Sequence, residues 1–158
     1  MTALDERDLK ILEALQRDGR LTNQALAEAV ALSPSACLAR VRRLEADGLI
    51  AGYHAALALE KIRPTLFVFA EVTLKRHHPD DCARFEAAIA AIDEVVEAAE
   101  VSGAFDYLLK IAAPDVRRWR ELADRLLAED LGVDKIASHI LMKEAKAFAG
   151  YPLREGQT

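Results

Sequence analysis

The chain has 158 residues, 52% of them hydrophobic, with two cysteines and a formal net charge of −5. That length suits one medium domain or two small ones, with ample apolar content for packed cores. Two cysteines make no disulfide framework, no apolar run reaches bilayer length, and the first residues form no signal segment, so the expected setting is cytoplasmic with no membrane role.

The charge is unevenly placed. In residues 1–63 nine lysines and arginines balance nine aspartates and glutamates, so the whole net charge lies in residues 64–158. An acidic chain can still meet phosphate through a local basic face. Leu4 to Gln16 reads as a first helix, with Asp5 as its N-cap, Asp8 three residues on, and Leu9, Ile11, Leu12 and Leu15 at helical spacing. Asp18-Gly19-Arg20 ends it. Thr22 and Asn23 then start a short helix to Val30, and Ala31-Leu32 forms a tight connection. Ser33 caps the next helix and Pro34 occupies its first position, where a missing N–H costs nothing. This helix runs to about Asp47 and stops at Gly48.

Two short helices joined by a tight turn form the helix-turn-helix pattern. On the second helix Cys37, Val41 and Leu44 share the core face at 100° per residue, with Leu38 at its edge. The opposite face begins small and polar and becomes basic, which suits approach to base edges and phosphates in a major groove. The candidate contacts to double-stranded DNA are Thr22, Asn23, Ser33, Ser35, Ala36, Ala39, Arg40, Arg42 and Arg43. Leu49 to Tyr53 and His54 to Leu59 are expected to form two short strands, the wing, with Gly52 at the bend.

Glu60-Lys61-Ile62-Arg63-Pro64 reads as a linker, which places a domain boundary between residues 63 and 64. Thr65 to Lys75 is a strand with Leu66, Val68, Ala70, Val72 and Leu74 on one face and Phe67, Phe69, Glu71 and Thr73 on the other. A helix follows from Pro79 through Ile92, then strands over Val95–Ser102 and Phe105–Ala113. A second helix runs from Pro114-Asp115 to about Leu127, with Trp119 on its apolar stripe. Val133 to Ala145 is the fourth strand.

The predicted fold is α+β: an N-terminal winged helix-turn-helix over residues 1–63 and a C-terminal ferredoxin-like βαββαβ sandwich over 64–158. Both helices of the second domain cover one face of its sheet. Phe67 and Phe69 are left on the other face, so two sheets are expected to pack into a homodimer.

These stretches resemble the Lrp/AsnC family, the leucine-responsive or feast/famine regulators, over nearly the whole chain. The likeness is carried by Leu4-Asp5-Glu6-Arg7-Asp8-Leu9, by Leu32 to Glu45, by Gly48-Leu49-Ile50-Ala51-Gly52-Tyr53 and by Val101 to Lys110. Two positions depart from the family pattern. Ala36 stands where a second proline is frequent, and Ala104 stands where an acidic residue often follows the glycine. The resemblance implies a transcriptional regulator assembling to an octamer, with an amino-acid effector such as leucine bound between dimers. It places that effector at Ser102, Gly103, Ala104, Phe105 and Asp106, and Ser138 matches a position where a threonine is frequent. Gly103 offers free backbone donors to a carboxylate and Asp106 a partner for an ammonium group.

The rival reading is the amino-acid-binding control domain of a metabolic enzyme, which leaves residues 4–53 unexplained. No catalytic or metal site is expected. His78 and Cys82 stand four apart with no third ligand near, and no nucleophile elbow or phosphate loop occurs. No cofactor is called for.

Overall fold

The computed structural model describes residues 4–154. They form two compact units, one of residues 4–56 with 146–154 and one of Leu57–Ala145. The elements of the first unit are three helices: α1 (Glu6–Arg17), α2 (Asn23–Ala29) and α3 (Pro34–Ala46).

Each helix starts where a side chain can satisfy its free N–H groups. Asp5 accepts from the N–H groups of Arg7 and Asp8, and Asp8 accepts in return from the N–H of Asp5, a reciprocal capping box. Thr22 caps α2 and Ser33 caps α3, which has Pro34 in its first turn. Gly48 follows α3 at φ +71°, the left-handed conformation that ends a helix at least cost in glycine. The α2–α3 turn is made differently. Ala31 takes φ +53° there, although it is not glycine. Ile11, Leu26, Ala27, Val30, Cys37 and Leu44 form the buried core of this unit.

The two strands expected over Leu49–Tyr53 and His54–Leu59 do not form. No strand occurs between Leu49 and Leu59, residues 51–58 are exposed, and Leu59–Lys61 is a single 3-10 turn. A lone two-stranded ribbon is marginal without a surface to bury one face, and an alanine-rich segment has little to bury. Tyr53 is held instead by its hydroxyl, which donates to Glu45 at 3.0 Å.

Residues 150–154, read from the sequence as part of the second domain, pair with α1. Gln16 donates to the carbonyl of Tyr151 and accepts from its N–H, both at 2.9 Å. Arg154 reaches Glu13 at 2.8 Å and Glu6 at 3.2 Å. Gly150 makes this approach possible, because a Cβ there would lie 2.6 Å from Gln16 Cδ.

The second unit contains β1 (Leu66–Leu74), α4 (Pro79–Ala90), β2 (Val95–Glu100), β3 (Tyr107–Ala113), α5 (Val116–Ala128) and β4 (Val133–Ile140). Its sheet is antiparallel in the order β2-β3-β1-β4. This is the ferredoxin-like arrangement. The alternation in β1 is as read from the sequence: Val68, Ala70, Val72 and Leu74 are buried and pack with Phe85, Tyr107, Leu109, Ile111, Trp119, Leu122 and Leu126. Phe67 and Phe69 take the other face and are half-buried.

The outer strands are shorter than expected. The last pair of β4 is Ile140 with Val68, followed by the N–H of Leu141 on the carbonyl of Phe67, and Met142 to Ala145 lie outside the strand. β2 ends at Glu100 opposite Tyr107, and the N–H of Val101 closes the turn on the carbonyl of Asp106. Among the described residues no helix is long and apolar enough to cross a membrane.

Candidate nucleic-acid interface and effector turn

The helix-turn-helix is built around contacts from the first turn of α1. Arg7 donates to the carbonyl of Val30 at the end of α2. Asn23 Nδ2 donates to the carbonyl of Pro34 at 2.8 Å and so joins the starts of α2 and α3. Arg40 Nη1 lies 2.7 Å from Asp5 Oδ2 and 2.8 Å from Asp8 Oδ1, and Arg43 Nη2 lies 2.6 Å from Asp8 Oδ2. Asp8 is fully buried. Burial pushes its carboxyl up, but the Asp5 N–H and the guanidinium groups of Arg40 and Arg43 outweigh that and hold it below the usual range. The N–H of Asp8 and the side chain of Arg40 lower Asp5 to about 2.

This network sorts the candidate DNA contacts. Arg40 and Arg43 are tied to α1, with 29% and 34% of their side chains exposed. Asn23 is spent on Pro34. Thr22 and Ser33 use their hydroxyls as caps, accepting from Ala25 and Ala36. Ser35, Ala39 and Arg42 remain exposed together, with Ala36 half-buried beside them. Among the described residues Arg42 is in no ion pair, so it is the cation of α3 that stands free.

In the second unit, Ser102, Gly103 and Ala104 form an exposed turn between β2 and β3, and Phe105 is half-buried. Gly103 has φ +139° with open space where a Cβ would stand. Asp106 is more engaged than its sequence position suggests. Its Oδ2 accepts from the N–H of Leu74 at 2.7 Å, and its Oδ1 lies 2.8 Å from His77 Nε2. The N–H of Asp106 donates to the carbonyl of Val72. Asp106 thereby bolts the turn to the end of β1. Ser138 sits across from Ala70 on β4, with β1 between it and β3, and its hydroxyl accepts from the Trp119 indole at 3.1 Å. Among the described residues no hydrogen bond joins Ser138 to the turn.

The sheet face opposite the helices carries Phe67 and Phe69. Lys110 stands over the Phe67 ring at 6.0 Å and reaches Glu97 at 3.3 Å, while His139 reaches Glu71 at 3.2 Å. A hollow of about 290 Å³ is lined by Phe69, Glu97, Ala98, Ala99, Leu108 and Lys110. On the other face the Tyr107 hydroxyl donates to Glu86 at 2.9 Å; burial and this contact push the phenol up.

Two residues of these sites are missing from the sequence reading. His77 is not singled out by any motif, and Asp8 reads only as a capping partner. The D-x-x-D pattern at Asp5 and Asp8 is visible, but its second use is a contact to residues 32 and 35 positions away.

Two family descriptions match the chain: "Winged helix-turn-helix DNA-binding" over residues 4–51 and "Lrp/AsnC ligand binding domain" over residues 67–150. The chain is 44% identical over 143 residues to the leucine-responsive regulatory protein of Salmonella typhimurium, covering 90% of this chain and 87% of that protein. The same-named protein of Haemophilus influenzae is 44% identical over 144 residues, covering 91% and 87%. Among solved structures, a transcriptional regulator from Neisseria meningitidis in complex with L-Met superposes with a TM-score of 0.89 at 36% identity, covering 96% of this chain and 97% of that one. An AsnC family regulator from Agrobacterium tumefaciens gives 0.87 at 31% identity, covering 95% and 97%. The chain belongs to the Lrp/AsnC family and is a DNA-binding transcriptional regulator with a ligand-binding domain.

Proposed function

We propose that this regulator reads duplex DNA through the exposed face of α3 and adjusts that reading to a neutral, apolar amino acid bound at the turn of residues 102–106. The observation that carries the effector reading is the turn itself. Gly103 and its neighbours present exposed backbone beside the carboxylate of Asp106, the pairing an amino acid's own carboxylate and ammonium require. The names of the two leucine-responsive relatives and the L-Met complex of the Neisseria regulator support this class of effector. No lysine or arginine lies in the turn, so a second acidic group on the ligand meets no cation.

In this reading the open sheet face with Phe67 and Phe69 joins two copies into a homodimer, which supplies two reading heads for two half-sites. Dimers then assemble further, to an octamer, with the effector at the seam. Effector binding favours one arrangement of the heads because its affinity differs between arrangements. The protein works in the cytoplasm, its residues 1–63 reading DNA and residues 64–158 sensing and assembling.

Isothermal calorimetry of the full chain with leucine, methionine and glutamate tests the effector. The first two should bind and glutamate should not. Asp106→Asn keeps an acceptor for the Leu74 N–H while removing the charge. It should weaken leucine or methionine binding at least tenfold and leave the melting temperature close to wild type. Wild-type affinity in that variant would overturn the ammonium contact.

A further inference from the structure

We propose that Asp8, on a helix that does not itself read DNA, is a positioning residue for DNA recognition: it withholds Arg40 and Arg43 from the phosphates and leaves Arg42 as the working cation of α3. This rests on the reading of α3 as the helix that enters the groove.

The geometry carries it. The Asp8 side chain is 1% exposed and meets both arginines, at 2.8 Å and 2.6 Å. Its remaining capacity is taken by the Asp5 N–H, and Asp5 adds a second carboxylate to Arg40 at 2.7 Å. A guanidinium that turned away to meet a phosphate would leave a buried carboxylate short of its partner. That loss exceeds what one exposed, salt-screened phosphate contact returns. The two arginines therefore stay on α1. The same helix turn holds α2 through Arg7 and the Val30 carbonyl, so α1 sets the placement of both helices of the motif.

The arrangement also sets the direction of the basic face. With Arg40 and Arg43 neutralised by α1, the positive charge of α3 is concentrated at Arg42, next to exposed Ser35 and Ala39. Three free arginines on one helix would attract any duplex strongly and without sequence preference. One free arginine beside small residues leaves more of the recognition to base contacts.

The test uses the full chain and a fluorescent 30-base-pair duplex that the wild type selects from a random pool, titrated at several salt concentrations. The slope of log affinity against log salt counts the phosphate contacts. Arg42→Ala should lower that slope by about one for each engaged head. Arg40→Gln and Arg43→Gln should lower affinity equally at all salts without changing the slope. Asp8→Asn should raise the slope by about one per head and narrow the gap between the selected duplex and a scrambled one. If Asp8→Asn fails to fold, the arginine variants decide the matter alone. A drop in slope for Arg43→Gln as large as that for Arg42→Ala overturns the lock while preserving α3 as the reading helix. A silent Arg42→Ala, with no slope change in any variant, overturns the reading of α3 instead.

Discussion

The two units of this protein solve the problem of placing functional residues in different ways. In the DNA-reading unit, ion pairs across long sequence separations decide which side chains are available. Asp5, the cap of α1, and Asp8 in its first turn take up two of the three arginines of α3. In the ligand-binding unit, backbone register does the placing. The pairing of β1 with β3 fixes which residues face the helices and brings Asp106 to the end of β1, where it accepts from the N–H of Leu74. The first device rests on charge, whereas the second rests on strand register within a buried sheet.

The largest effect expected from breaking this contrast lies in the sheet. Leu109 is fully buried between the helices and the sheet. Leu109→Ala should cost about 3 kcal/mol through lost burial and the cavity left behind. The shift should appear in the fluorescence of Trp119, the chain's one tryptophan, which is buried in the same cluster. A denaturant melt followed by that signal measures it.

A smaller effect is expected from acid in the DNA-reading unit. Folding holds the Asp5 carboxyl at about 2 against an ordinary value of 3.8. Its folded pKa is depressed, so its stabilisation is complete above the ordinary value and is lost as pH falls from there toward about 2. Asp8 shifts in the same direction. Urea melts by circular dichroism at neutral pH and near pH 3 should show a larger acid loss in wild type than in Asp5→Asn. Equal losses would mean the Asp5 carboxylate is not linked to folding.

The smallest effect concerns the turn between α2 and α3. Ala31 holds φ +53°, where its Cβ is disfavoured. Ala31→Gly should stabilise the unit by about 0.5–1 kcal/mol, since the relieved strain slightly exceeds the added entropy of the unfolded chain. Destabilisation would show that the turn is not strained.

The same contrast explains what could be read from the sequence. Local signals were legible. Ser33-Pro34 and Gly48 bracket α3, Asp5 and Asp8 mark the start of α1, and alternation in Leu66–Leu74 separates the two sheet faces. Signals that depend on distant partners were not. Nothing near Arg40 or Arg43 indicates a carboxylate more than thirty residues earlier. Nothing near Asp106 announces the N–H of Leu74, and the pairing of Tyr151 with Gln16 spans 135 positions. Two strands were expected either side of Gly52, but the alanines that follow have too little surface to hold a ribbon. The departures at Ala36 and Ala104 fall on a half-buried and an exposed residue at the two candidate sites.

The central claim is that an amino acid bound in one unit changes DNA reading by the other. The most direct measurement is a titration of the full chain against its selected duplex, with and without saturating leucine or methionine, repeated with Asp106→Asn. The account predicts that the midpoint for wild type shifts at least fivefold with one of these amino acids. For the variant it predicts an unchanged midpoint without effector and a much reduced shift with it. Superimposable wild-type curves with either amino acid, under conditions where calorimetry shows it bound, would contradict the account.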